Sequence, residues 1–216
     1  IMRSVGTQYT QKYIQRFGFQ PEKNPPYLTL ALGAGSATPL QMSVGYSIFA
    51  NGGFEVNPYL ISKIVDAKGR IIFQAPPSSV GDESKRVLDE KTAFVMDSLM
   101  QEVTRSGTAA SARAKLGRND IAGKTGTTND AHDAWFAGYH PSLCAVVWMG
   151  FDRPKSLGSN ETGGGLSLPI WINYMARALE GVPESPRSPP DGVVSVDGDW
   201  TVPDFTNRPS YTSLMD

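Results

Sequence analysis

Lys124, Thr125, Gly126 and Thr127 sit in the stretch "IAGKTGTTNDAHDAWFAGYHPS" and offer an ammonium, two hydroxyls and a residue with no side chain. On an extended strand these groups suit a carboxylate, because Lys and Thr donate charge-assisted hydrogen bonds and Gly lets another backbone come close. A free backbone N–H aimed at a reacting carbonyl oxygen would make the strand one wall of an acyl-transfer site. The competing reading is an ordinary strand edge, since Thr is a good strand residue and Gly often marks a bulge. Lys-Thr-Gly arises by chance in roughly one chain in ten of this length. The tripeptide alone therefore decides nothing.

The elements around it must present it as a strand. The pattern predicts three successive strands, at about 120–128, 134–140 and 143–151, with "HPS" as a tight antiparallel connection between the last two. The third, "LCAVVWMGF", is apolar on both faces, as a central strand is. "TGGGLSLPIWINYMARALEG" reads as a glycine-rich loop opening a helix, with Pro169 near its start. Upstream, Asp89 can cap a helix carrying Ala93, Met96, Met100 and Val103 on one face until "SGTA" interrupts it. "YLISKIVDAKGRIIFQ" predicts a hairpin with Gly69 in its turn. Thr38, Pro39 and the pair Gly52-Gly53 mark both ends of a further helix. Val5, Tyr9, Tyr13 and Phe17 recur every fourth residue and predict one amphipathic helix from about Arg3 to Phe17, stopped by Gly18. Residues 182–216 are rich in Pro and Gly and read as a loosely attached tail with one short strand, "VVSV".

Composition excludes several classes. With 20 basic and 21 acidic residues and no basic run, a nucleic-acid partner is not expected. No window approaches 18 consecutive apolar residues. His132 and His140 have no HExxH or paired-carboxylate pattern around them and read as surface or loop residues, so no metal site is expected. "TGGGLS" lacks the Lys of a Walker loop. The single Cys144 reads as a small buried hydrophobe. Ile1 begins inside the first predicted helix, so the expectation is that the chain starts within a longer protein.

Taken in order, "LGAGSATPLQMSVGYSIFANGG", "IAGKTGTTNDAHDAWFAGYHP", "AVVWMGFD" and "TGGGLSLPIW" resemble the transpeptidase domain of bifunctional, class A penicillin-binding proteins over roughly residues 1–180. The resemblance implies an α+β, β-lactamase/transpeptidase-like fold with an antiparallel sheet flanked by helices, incomplete in this chain. Residues 1–181 would be the C-terminal part of that domain and 182–216 a tail. The implied chemistry is serine acyl transfer: a Ser attacks the D-Ala-D-Ala amide of a peptidoglycan stem peptide, D-Ala leaves, and an amine of a neighbouring stem takes the acyl group. β-Lactams would acylate the same Ser. No cofactor and no metal is implied.

Carried over by that resemblance, Lys124 would support the nucleophile's proton network. Thr125 and Thr127 would bind the substrate or antibiotic carboxylate, and the Thr127 N–H would supply half of the oxyanion hole. Gly126 would leave room for the ligand backbone, and Thr128 is a further substrate-binding candidate at the strand's end. The chain departs from the family in lacking the nucleophile. No Ser is followed three positions later by Lys, none begins Ser-x-Asn, and Ser111 in "SARAK" misses by one residue. The expected partner is thus the N-terminal half of the same domain, carrying both motifs as a separate chain, at the periplasmic face of a bacterial inner membrane. Two alternatives share the wall: a D,D-carboxypeptidase or β-lactamase that passes the acyl group to water, and a fragment that only binds muropeptide or partners. Because the two-sided apolar strand needs a further strand beside it, the piece alone is expected to be marginal or aggregation-prone.

Overall fold

The computed structural model describes residues 1–203, and the fold is α+β, as expected. Its centre is an antiparallel meander of β3 (Ala122–Thr127), β4 (Asp133–His140) and β5 (Leu143–Gly150), in spatial order β3-β4-β5. Gly126 lies opposite Trp135, Thr125 opposite Phe136, and Phe136 opposite Val147. Among the described residues β4, not β5, holds the central position, and all eight residues of β5 are half-buried. The outer edge of β5 has no strand beside it here.

Strand alternation sorts the core onto two faces. Phe136 and the partly buried Ala145 and Val147 pack with Trp171, Ile172 and Met175 of α6 (Leu168–Ala178) and with Ala112 of α5 (Ala110–Leu116). The Phe136 and Trp171 rings meet edge-on at 4.9 Å, and Trp171 Nε1 donates to Ala145 O at 3.1 Å. On the other face Tyr139 and Ala122 pack with Met100 of α4 (Glu90–Arg105) and Ala50 of α3 (Pro39–Ala50). The buried Asp97 of α4 accepts from Tyr139 Oη at 2.8 Å, which satisfies both groups.

Helix ends follow the sequence signals. Thr38 and Gln41 form a capping box at α3, with Gln41 N donating to Thr38 Oγ1 at 3.2 Å and Thr38 N to Gln41 Oε1 at 2.9 Å. Asp89 caps α4 through Thr92 N. β1 (Lys63–Val65) and β2 (Ile71–Gln74) form the expected hairpin around Gly69, with every strand residue exposed. The single helix expected for residues 3–17 is instead split by Gly6, at φ 90°, into α1 (Met2–Val5) and α2 (Thr7–Ile14), followed by a 3₁₀ turn over Gln15–Phe17. Tyr9, Tyr13 and Phe17 still stack in sequence toward Phe49 of α3, and Phe17 alone of the three is buried.

Residues 182–203 are held rather than loose. Arg118 donates to Val182 O at 2.7 Å and Pro183 O at 3.0 Å, and Ser185 N donates to Asp120 Oδ2 at 2.7 Å. Arg187 donates to Phe49 O at 2.8 Å and also to Ala50 O, capping the end of α3. Trp200 lies edge-on to Phe94, on a short hairpin of β6 (Val194–Val196) and β7 (Asp199–Thr201). Residues 204–216 of the expected tail lie outside the described residues.

His140 is buried at the end of β4, contrary to the surface or loop position expected from sequence. Ser142 N donates to its Nδ1 at 3.2 Å, and its Nε2 lies 3.0 Å from Asp120 Oδ2. Burial alone would raise the Asp120 carboxyl, but hydrogen bonds from Arg118 and Ser185, with His140 beside it, hold it below the usual carboxylate range. A carboxyl depressed in the folded state stabilises the protein above its unfolded value of about 3.9, and that stability is lost as pH falls through the lower folded value. Asp120→Asn should therefore be less stable by about 1–3 kcal/mol at pH 7. Its denaturation midpoint should change less than the parent's between pH 7 and pH 3. Equal acid sensitivity of the two proteins would rule the contribution out.

Candidate active site

β3 is the other edge of the meander, and among the described residues nothing pairs along its outer side. Half of its backbone N–H and C=O groups therefore face away from β4. Alternation places Thr125 and Thr127 on the α5–α6 face, and Lys124 and Gly126 on the α3–α4 face. A ligand touching both Lys124 and the two threonines must lie along this free edge.

Lys124 is exposed, and its Nζ donates to Thr125 O at 3.0 Å. Among the described residues no carboxylate pairs with it, so the ammonium is free for an anion. Thr125 Oγ1 lies 2.8 Å from Thr108 Oγ1, in the loop between α4 and α5. Thr127 Oγ1 accepts from Gly163 N at 3.1 Å, which leaves its own proton to donate. Gly126 lies over Trp135, where a Cβ would come within 3.2 Å of the indole's own Cβ. Thr128 closes the turn to β4: its Oγ1 accepts from Asp133 N at 2.8 Å and its N donates to Asp133 O at 3.1 Å. The structure thus brings Lys124, Thr125, Gly126 and Thr127 together on β3 and places Thr128 just beyond its end.

The glycine-rich stretch forms the neighbouring rim. Thr162 caps a helical turn over Gly163–Ser167 by accepting from Gly165 N at 3.1 Å, and buried Ser167 donates to Ala134 O at 2.8 Å. Gly163 sits so tightly that a Cβ there would lie 2.2 Å from Trp135 O and 2.5 Å from Gly126 O. The glycine-rich "TGGGLS" was read as letting a loop pass close to the site, which this contact fits, but the contact of Thr108 with Thr125 was not legible, since "SGTA" reads only as the end of a helix.

Cys144 is half-buried, with Sγ 3.5 Å from Ser43 O. Burial pushes its thiol up to about 11, so it is protonated at neutral pH and is no competing nucleophile. Among the described residues no group of His, Cys, Asp and Glu converges as a metal site.

Residues 1–170 match the family model for the penicillin binding protein transpeptidase domain. Penicillin-binding protein 1A of Neisseria flavescens is 47% identical over 199 residues, covering 92% of this chain and 25% of that protein. Its counterpart in Neisseria lactamica is 48% identical over 200 residues, covering 93% of this chain and again 25% of the relative. The chain thus spans about a quarter of the length of these relatives. The crystal structure of penicillin-binding protein 1A from Haemophilus influenzae superposes with a TM-score of 0.83 at 32% identity, over 94% of this chain and 37% of that one. Its likeness shows that the sheet and helices described here are those of a transpeptidase fold. With four-fifths of its length inside the match, this chain belongs to the penicillin-binding protein transpeptidase family.

Proposed function

We propose that this chain supplies the Lys-Thr-Gly-Thr wall of a serine D,D-transpeptidase that cross-links peptidoglycan stem peptides and is acylated by β-lactams. The observation that carries the reading is the free edge of β3, where an unpaired ammonium and two hydroxyls lie beside open backbone groups. The hydroxyls of Thr125 and Thr127 bind the terminal carboxylate of D-Ala-D-Ala or of the antibiotic. The Thr127 N–H forms half of the oxyanion hole, and Lys124 stabilises the nucleophile's alkoxide character and guides its proton. The Ser Oγ bonds to the penultimate D-Ala carbonyl carbon, the amide C–N bond breaks, and D-Ala leaves with a proton on its nitrogen. An amine of a second stem then displaces the Ser and returns its proton. The nucleophile comes from the upstream half of the domain, whose own strands cover the outer edge of β5. Residues 1–181 form the C-terminal part of the domain, and the whole protein works at the periplasmic face of the inner membrane. That the relatives are penicillin-binding proteins supports acylation by penicillin.

The test is an intact-mass spectrum of this chain mixed or co-expressed with the upstream half, before and after penicillin. The upstream polypeptide alone should gain the antibiotic's mass, and a slowly lost adduct separates a transpeptidase from a β-lactamase, which would shed it quickly. Mass on this chain itself would overturn the assignment of the nucleophile. No adduct on either would favour a binding-only role.

A further inference from the structure

We propose that Thr108 is a positioning residue for the carboxylate-binding hydroxyl of Thr125, an inference that rests on the reading of β3 given above. Thr108 lies on the short loop after α4, and the loop is built to hold it still. Gly107 folds back over the last helical turn, where a Cβ would lie 2.9 Å from Val103 Cα. Ala109 N donates to Val103 O at 3.1 Å, Ala110 N donates to Gly107 O at 3.1 Å, and Ala109 is fully buried at 0% exposure. Between these anchors Thr108 is left at the surface with its Oγ1 2.8 Å from Thr125 Oγ1. Its carbonyl oxygen is 3.4 Å from where a Cβ on Gly164 would stand. The loop, β3 and the glycine-rich rim therefore meet around Thr125.

Each hydroxyl has one proton to donate and room to accept. When Thr125 gives its proton to a carboxylate, the 2.8 Å contact survives only if Thr108 becomes the donor to Thr125 Oγ1. That bond selects the Thr125 rotamer with the hydroxyl, not the methyl, in place, and polarises the hydroxyl toward the anion. Thr127 is fixed differently, by a backbone N–H from Gly163. The two carboxylate-binding hydroxyls thus have independent supports, and only that of Thr125 depends on a side chain.

The experiment compares Thr108→Val, Thr108→Ser, Thr125→Val and the double Val variant in the complete domain, upstream half included. Second-order acylation rates are read by mass spectrometry for a penicillin and for its methyl ester, which lacks the carboxylate. Thr108→Val should slow the penicillin by about three- to tenfold, the scale of one hydrogen bond, and leave the ester within about twofold. Thr108→Ser should restore the rate, and the double variant should be no slower than Thr125→Val. An unchanged penicillin rate in Thr108→Val beside a slowed Thr125→Val would overturn the role of Thr108 and leave the wall intact. Equal slowing of penicillin and ester would also overturn it, because that marks a structural loss. If Thr125→Val reacts normally with penicillin, the carboxylate reading of β3 fails and the role of Thr108 falls with it.

Discussion

Lys124→Met in the complete domain should slow acylation by penicillin by about 10²–10⁴-fold, the range a positioned proton-transfer group supplies. Its stability should stay within about 0.5 kcal/mol of the parent, because an exposed side chain with no ion pair does little for the fold. Methionine keeps the length and apolar stem of the side chain and removes only the ammonium. Lys124→Arg should not rescue the rate, since a planar fork cannot stand in for a compact cation on the same strand. Rapid-mixing kinetics with a chromogenic β-lactam, paired with urea midpoints, would read both quantities. A near-parental rate in Lys124→Met would remove Lys124 from the chemistry.

Gly163→Ala is expected to be strongly damaging to both stability and acylation. The new Cβ would stand 2.2 Å from Trp135 O and 2.5 Å from Gly126 O, both backbone atoms of the central meander. The strand carrying Trp135 O cannot yield, because β4 is bonded to β3 on one side and β5 on the other. The glycine turn must move instead, which breaks the Gly163 N–H bond to Thr127 Oγ1 and loosens the hydroxyl proposed above to bind the carboxylate. Overpacking of this severity costs about 3 kcal/mol or more, and the folded fraction should acylate more slowly as well. Gly165→Ala is the control, since its nearest neighbour, Thr162 Oγ1, would be 3.5 Å away. Equal urea midpoints and equal acylation rates for the two variants would refute the steric argument.

The strand that carries Lys124, Thr125, Gly126 and Thr127 was the most legible part of the sequence, because residues next to one another on a strand stay together whatever the strand packs against. β3 begins two residues later and ends one residue earlier than expected, with Lys124 to Thr127 inside it, and the glycine-rich loop and its helix follow in the expected order. What escaped notice depends on contacts between distant segments. Thr108 touches Thr125 across 17 residues, and nothing in "SGTA" marks its hydroxyl as more than a helix end. His140 precedes a turn and so reads as exposed, yet Asp120 and Arg118, brought in by the strand before, enclose it. The tail lacks periodicity, so its attachment through Arg187, Ser185 and Trp200 has no local signature. Gly6 also overrode a regular apolar spacing: its φ of 90° interrupts a helix that the pattern alone would continue.

The Arg187 cap also sets an order of events during synthesis. The carbonyls of Phe49 and Ala50 are translated 138 and 137 residues before the guanidinium that caps them. At the usual pace of translation that interval is about 7–28 s. Throughout it the last turn of α3 has only the local backbone bonds of Asn51, Gly52 and Gly53 to close it, while its N-terminus is already closed by the capping box of Thr38 and Gln41. Protection should therefore spread along α3 from Thr38 toward Ala50, and pulse-labelled nascent chains should show the Asn51 end exchanging faster before Arg187 has left the ribosome than after it. The helix on one side of the sheet is thus finished only after a residue far downstream, Arg187, has left the ribosome.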